Sequence, residues 1–183
     1  MKTSYTIVIL FMLAANSLFA QKKLNIDTKN SIVKWTGHAE IGKYAPTGTL
    51  HFKDGEARID QGGIKNAKFT IDMKSMKTEN AQLLGHLTGE DFFDVQKFPV
   101  STIVIDRIVN GEAIGKLTIR KKELPFHCAV TVQHNNGKYT VSGDVIIDRT
   151  AYGIIYNSGN FFSGLGDKAI RNTFDISFTI YLN

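Results

Sequence analysis

The sequence predicts an all-β protein of about eight antiparallel strands, closed into a barrel or folded into a sandwich, with one short helical insert. Three observations carry this. Apolar and polar residues alternate with period two along most of the chain. Three dipeptides, Asp54-Gly55, Asn110-Gly111 and Asn136-Gly137, fall between candidate strands. They supply the positive φ that type I′ hairpin turns need at both central residues. One stretch alone, Lys74 to Pro99, drops the alternation for a helical pattern.

The N-terminus precedes the fold. Lys2 gives a positive start, Thr6 to Ala15 is an apolar run, and Asn16 to Ala20 leads to Gln21. This is the form of a signal peptide, residues 1–20, with cleavage after Ala20. Leu18 is larger than the small residue favoured three positions before a cut. The run is short of the roughly 20 residues that a membrane-spanning helix needs, so an anchor is the lesser reading. No cysteine stands near the cut, which argues against a lipid-anchored form. Removing 20 of the 183 residues leaves a domain of 163, residues 21–183, with 21 basic and 17 acidic side chains once Lys2 is gone. That length suffices for one domain with a sizeable core.

Within this domain Val33 and Trp35 alternate with Lys34 and Thr36. A strand follows near Tyr44–Phe52. Ala67, Phe69, Ile71 and Met73 alternate with Lys68, Thr70 and Asp72. The insert spans about 78–98: Leu83, Leu84 and Leu87 stand at helical spacing, and Thr88 with Asp91 predicts the cap of a second short helix that Pro99 ends. Strands are expected at Val100–Val109, Ala113–Arg120 and Tyr139–Asp148. Phe126, Cys128, Val130 and Val132 share one face, with Pro125 at the strand start, where a missing N–H costs little. The last strand places Phe174, Ile176, Phe178, Ile180 and Leu182 on one face. Closure would remove exposed edges. An apolar helix beside a barrel has one natural place to bury its face, across a barrel end. Alternation alone leaves open whether the apolar face points inward or out to lipid. The insert, the modest strand lengths and the lack of aromatic girdles favour the inward arrangement.

Several function classes find little support. The mild positive charge is scattered apart from Ile119–Glu123, so no nucleic-acid-binding stripe is expected. With one cysteine no internal disulfide forms, and Cys128 reads as a buried small hydrophobe rather than a reactive thiol. The five histidines, His38, His51, His86, His127 and His134, show no local metal spacing, and no metal or cofactor is expected. There is no GxSxG, and the Gly-rich Ser158–Asp167 segment fits no phosphate loop, so it reads as a connection. Asp72, Glu90, Asp91 and Asp94 serve solvation and helix starting rather than catalysis.

The interior remains. Trp35, Phe69, Ile71 and Met73 would line it from the first half of the chain. Ile103, Ile105, Leu117, Ile119 and Phe126 would line it from the middle, and Phe174, Ile176 and Phe178 from the end. Such residues build either a solid core or the wall of a cavity, since an eight-stranded barrel has room for packed side chains or one small ligand.

Six blocks in order carry a resemblance to a known family: "SIVKWTG" (Ser31–Gly37), "TGTLHF" (Thr47–Phe52), "FTIDMKSM" (Phe69–Met76), "LLGHLTGEDFFDVQKFP" (Leu83–Pro99), "GKLTIRKKELPF" (Gly115–Phe126) and "IDRTAYGI" (Ile147–Ile154). The fourth is the most specific. Over nearly all of the domain the chain resembles the YceI-like family of secreted bacterial polyisoprenoid- or lipid-binding, lipocalin-like proteins. The resemblance implies an eight-stranded antiparallel barrel with an apolar tunnel for an isoprenoid or other amphiphilic lipid, carried without catalysis in the periplasm or outside the cell. It implies that Leu84, Leu87, Phe92 and Phe93 of the insert help close and line that tunnel, and it suggests Arg149 and Tyr152 as head-group contacts. The competing role for Arg149 is a stabilising pair with a carboxylate. An enzyme acting on a lipid head group and a ligand-free partner-binding module are the alternatives, and monomer and homodimer both stay open. Two departures stand out: Lys121, Lys122 and Glu123 replace the Gly-containing turn frequent in the family, and Asn157–Asn172 is a longer, more aromatic loop.

Overall fold

The computed structural model describes residues 22–60 and 63–183. The expected leader, residues 1–20, lies outside the described residues. The strands are β1 (Lys22–Asn25), β2 (Ile32–Thr36), β3 (Thr47–Asp60), β4 (Gly63–Lys77), β5 (Val100–Val109), β6 (Glu112–Ile119), β7 (Lys122–Asn135), β8 (Lys138–Asp148) and β9 (Thr173–Leu182), and the helix is α1 (Ala81–Thr88). All pairings are antiparallel. They run β1-β3-β2-β9-β8-β7-β6-β5-β4, and β3 pairs with β4 to close the sheet. The result is a closed eight-stranded barrel, not a sandwich.

The short β1 and β2 share one barrel position. β2 pairs with the first part of β3 and β1 with its later part, from Glu56 to Ile59. Between them the Asp27 carboxylate accepts from the backbone N–H of Lys29 and Asn30 and from the Asn30 side chain. The buried Ser31 hydroxyl then accepts from the Tyr181 N–H at 2.9 Å, so β9 stays satisfied across the break.

The connections sort by end. At one end β3 gives way to β4, and two hairpins close in two residues each, Asn110-Gly111 and Asn136-Gly137. These two dipeptides have φ of 52° and 76°, and of 48° and 76°, as the sequence predicts. At the other end lie the connections 37–46, 78–99 and 149–172. The Arg120-Lys121 turn joins them there. We refer to these as the hairpin end and the loop end.

Four expectations are corrected. Asp54-Gly55 is not a turn. It sits inside β3 at a register shift, with Gly55 opposite Phe69, and a Cβ on Gly55 would overlap the Phe69 ring. The glycine there makes room for an aromatic neighbour rather than for positive φ. Thr88 caps no second helix. It ends α1, its hydroxyl donating to the Leu84 carbonyl at 2.8 Å, and the chain beyond it is turns. Pro125 is not at the strand start but fourth in β7. There β7 pairs only with β6, because β8 joins it from Val130 onward, so no neighbour asks for the missing N–H. Tyr44, placed near a strand start by the pattern, lies in the 37–46 connection and is exposed.

The apolar faces point inward. Lys34, Lys68, Lys116 and Asp144 stand exposed at mid-strand on the outside, the reverse of a lipid-facing barrel. Close strand approach needs small residues at two places. A Cβ on Gly115 would overlap the Val104 carbonyl oxygen, and one on Gly48 would overlap the Lys77 carbonyl oxygen and the Trp35 indole. We expect Gly115→Ala to lower unfolding free energy by about 1–3 kcal/mol through overpacking. Gly85→Ala, on the exposed helix face with open space around it, should raise it by about 0.5–1 kcal/mol. Urea denaturation of both variants measures the contrast.

Candidate functional site

The inward residues do not fill the barrel. An almost wholly apolar cavity of about 160 Å³ lies along its axis, lined from all eight strands. An apolar space of about 150 Å³ stays dry and accepts a small hydrocarbon. Here the volume is drawn out from Ile64, Ala113 and Leu182 near the hairpin end to Trp35, Leu87 and Phe93 at the loop end. It is a thin channel rather than a bowl.

Most residues named from the sequence stand on its wall. Trp35, Phe69, Ile71 and Met73 line it, as do Ile103, Ile105, Leu117, Ile119 and Phe126, then Phe174, Ile176 and Phe178. Leu87 and Phe93 reach it from the insert. Leu84 and Phe92 do not line it: Leu84 packs part-buried against the core, and Phe92 turns away. Further lining comes from Val33, Leu50 and Phe52, and from Ile180 and Leu182. Alternation identifies Val33, Ile180 and Leu182 too, since they share faces with residues already chosen, whereas the sequence reading chose no lining residue from β3. Met76 and Ile108 are different. Register irregularities after Asp72 and between Ile105 and Arg107 switch the face that points inward, and period-two counting misses them.

The insert closes the loop end. Asn80 caps α1 by accepting from the Leu83 N–H at 3.0 Å, and Leu87 is the buried residue of the helix. Past Gly89 the chain folds back on the helix: Phe93 N–H donates to the Leu87 carbonyl and Val95 N–H to that of Thr88, both at 3.0 Å. The double phenylalanine thereby splits. Phe93 meets Phe174 edge-on at 6.2 Å over the channel. Phe92 lies under the Arg149 guanidinium, 5.3 Å away, and 6.2 Å from Tyr156. The insert is also pinned from the β6–β7 turn. Arg120 and Lys121 both take positive φ, 49° and 64°, without glycine. Arg120 Nη1 donates to the Phe92 carbonyl at 2.8 Å, and its guanidinium lies 5.5 Å from the Phe98 ring. These contacts offset the strain of the turn.

Arg149 is not at the channel. It is 1 % exposed. Its Nε donates to the Arg171 carbonyl at 2.9 Å, Nη1 to that of Ile154 at 2.8 Å, and Nη2 to that of Ile170 at 3.0 Å. Among the described residues it forms no ion pair with a carboxylate; backbone carbonyls of the long β8–β9 connection hold it. Burial pushes its pKa down, though the guanidinium stays charged at any working pH. Tyr152 is buried in the turn Thr150–Tyr152, off the cavity wall, and burial raises its phenol pKa. Cys128 sits buried where β7 and β8 part, its thiol 3.6 Å from the Asp144 carbonyl, and desolvation followed by the Asp144 charge raises its pKa to about 11. Among the described residues, no cluster of three or more His, Cys, Asp and Glu is arranged to hold a metal.

Two expectations follow. Arg149→Lys, which loses the planar fork, should cost about 2–4 kcal/mol and speed amide exchange in residues 150–171 while sparing the hairpin end. Hydrogen exchange reads both. The Cys128 thiol is protonated in the fold up to about 11 but ionises near 9.0 when unfolded. Above 9.0 the unfolded chain therefore holds fewer protons, and stability falls as pH rises from 9.0 to about 11. Cys128→Ala should flatten that slope in denaturation curves, most clearly between pH 9.0 and 10.0, below the range where the raised Tyr152 phenol adds a fall of the same sign.

The comparisons place this architecture. BcnA of Burkholderia cenocepacia is similar, with a TM-score of 0.70 at 22% identity, covering 85% of this chain and 98% of that one. A polyisoprenoid binding domain from Saccharophagus degradans, implicated in plant cell wall breakdown, matches at TM-score 0.65 and 15% identity, over 87% and 97%. The Campylobacter jejuni YceI protein matches at 0.54 and 22%, over 79% and 86%. Curated proteins give no significant match. The family model of the YceI-like domain matches residues 24–182, and the chain belongs to that family.

Proposed function

We propose that this protein carries an isoprenoid or similar amphiphilic lipid chain inside the barrel and performs no chemistry on it. The observation that carries the reading is the shape of the cavity: thin, apolar, and extended from the hairpin end to the loop end. Lining that reaches from one end of the barrel to the other suits an extended chain better than a compact ligand. Met73 and Met76 stand on the wall, and their unbranched side chains adapt to an irregular occupant. Family membership and the likeness to a polyisoprenoid binding domain support the same reading.

The side chains with displaced pKa values, Cys128, Arg149 and Tyr152 among them, stand off the cavity wall. A head-group enzyme would gather such groups around its reacting atoms. A partner-binding module is the second reading, favoured by one feature. The Ala39–Ile170 bridge joins two loop-end connections, and those connections expose Ile41, Tyr44, Phe161 and Phe162. Export belongs to the proposal: the leader-like residues 1–20 would be removed, leaving residues 21–183 in the periplasm or beyond it. No helix among the described residues is long and apolar enough to cross a membrane.

Organic extraction of the natively exported protein, followed by mass spectrometry, should yield a long-chain lipid. Repeated empty extracts would reject the carrier reading. Ala67→Phe places a ring in the channel and should reduce the recovered lipid roughly tenfold, through an overpacking cost of about 1–3 kcal/mol. Lys68→Phe, on the outer face of the same strand, should leave recovery unchanged.

A further inference from the structure

We infer that the loop end of the barrel docks on an anionic phospholipid surface, with Ile41, Tyr44, Phe161 and Phe162 entering the lipid and Lys97, Lys121 and Lys122 meeting its phosphates. This goes beyond the carrier reading and stands or falls separately from it.

The connections 37–46 and 149–172 are zipped into one lobe. Glu40 N–H donates to the Ala169 carbonyl at 2.8 Å, and Arg171 N–H to that of His38 at 3.0 Å. His38 Nε2 lies 2.8 Å from the Asp175 carboxylate of β9, which ties the lobe to the barrel. The lobe holds its apolar tips outward. Phe161 and Phe162 N–H both donate to the Ser158 carbonyl at 3.0 Å, and the fully buried Ser158 hydroxyl donates to the Asn172 side chain at 2.6 Å. These two are the only exposed phenylalanines among the described residues. With Ile41 and Tyr44 of the other connection, they are between 47 and 63 % exposed. A Cβ built on Gly42, Gly159 or Gly164 would meet nothing within 4 Å, so both tips stand in open space. Large apolar side chains exposed together mark an interaction surface.

The opposite side of the same end is basic. Strand order places the β6–β7 turn across the barrel from the 37–46 connection. There the Phe98 ring has three cations around it: Lys97 Nζ at 5.4 Å, the Arg120 guanidinium at 5.5 Å and Lys121 Nζ at 5.9 Å from its centroid. Lys122 follows, exposed. Among the described residues none of the four forms an ion pair with a carboxylate. Like charges gathered on one ring repel, so the cluster favours an anion laid across it. The combination selects the occupant. Protein interfaces are depleted of lysine, whereas surfaces that enter a bilayer join aromatic residues to Lys and Arg. The channel ends between the two sides, at Trp35, Leu87 and Phe93, so docking by this end brings the channel against lipid. Both places where the sequence departs from the family pattern, Lys121–Glu123 and Asn157–Asn172, lie on this face. Glu79, Glu90 and Asp91 of the insert are exposed at the same end and keep the positive excess small. The tips therefore supply most of the binding, and the cations supply the preference for anionic lipid.

The exported protein is mixed with phosphatidylcholine vesicles, or with vesicles in which about one third of the lipid is phosphatidylglycerol, and bound protein is measured by flotation. It should bind both, about 5–20-fold more tightly where the lipid is anionic. Phe161→Ser with Phe162→Ser should weaken binding to either vesicle at least about tenfold. Lys97→Gln with Lys121→Gln should abolish the preference for anionic lipid and leave binding to phosphatidylcholine unchanged. Lys34→Gln with Lys68→Gln, the same loss of charge at mid-barrel, should leave the preference intact. All six side chains are exposed, so these variants should fold. Should the phenylalanine pair fail to fold, Ile41→Ser with Tyr44→Ser takes its place. Absence of binding to either vesicle overturns the inference and leaves a partner protein as the occupant of the lobe. Self-association in solution that the phenylalanine pair abolishes also overturns it, since the occupant is then a second copy. A preference lost equally in the Lys34 and Lys68 variant overturns the role of the cluster. None of these outcomes touches the lipid extract, so the carrier reading is judged apart.

Discussion

Closure of the sheet through the β3–β4 pair is the constraint on which the rest depends. It satisfies the two strand edges that a nine-segment meander would otherwise leave open. It also fixes the circumference. With eight strands around the axis, the wall is wide enough that inward side chains meet only partly. The bulges in β3, β4 and β5 bend the wall, and the glycines at Gly48 and Gly115 let strands approach where a Cβ would collide. What stays unfilled is a narrow apolar channel, and burial of its lining stabilises the barrel whether or not a ligand is present.

The two ends answer different needs. Two-residue turns hold the hairpin end with the least chain. The loop end carries every long connection and must cover the channel while leaving its own backbone groups paired. Arg149 meets part of that need. Its rigid fork serves three carbonyls of the β8–β9 connection, and its face rests on Phe92 of the insert. One buried cation thus ties the last long loop to the helical cover. Arg120 does the same from the opposite side, reaching the Phe92 carbonyl from a turn that two non-glycine residues enter at positive φ. The acids of the insert stay toward water, while Phe93 and Leu87 turn inward. A short aromatic segment studded with acids is what a cover between an apolar channel and solvent requires.

Alternation and turn dipeptides made much of the barrel legible from its residues. Strand β5 was placed at its observed bounds, and two of the three Asx-Gly turns formed as expected. The third, Asp54-Gly55, failed because a glycine beside a long strand answers equally to a close aromatic ring, and nothing local separates the two causes. Lining residues chosen by parity mostly reached the channel because parity is set by the pleat, which is a local property. Parity failed at Met76 and Ile108, where bulges set by partner strands switch the face.

The residues by themselves determined antiparallel strands, each with one apolar face, and a helical interruption, because strand period and turn chemistry act over a few neighbours; closure into a barrel was implied by the family resemblance and decided by the tertiary structure. Tertiary structure alone decided the rest. It set how much space the closed wall leaves, turned Phe92 away from the channel and Phe93 over it, and committed Arg149 to backbone carbonyls far along the chain. It also left the Trp35 N–H without a partner among the described residues. Each of these depends on the distance between segments remote in sequence, and that distance is fixed only once the sheet meets itself.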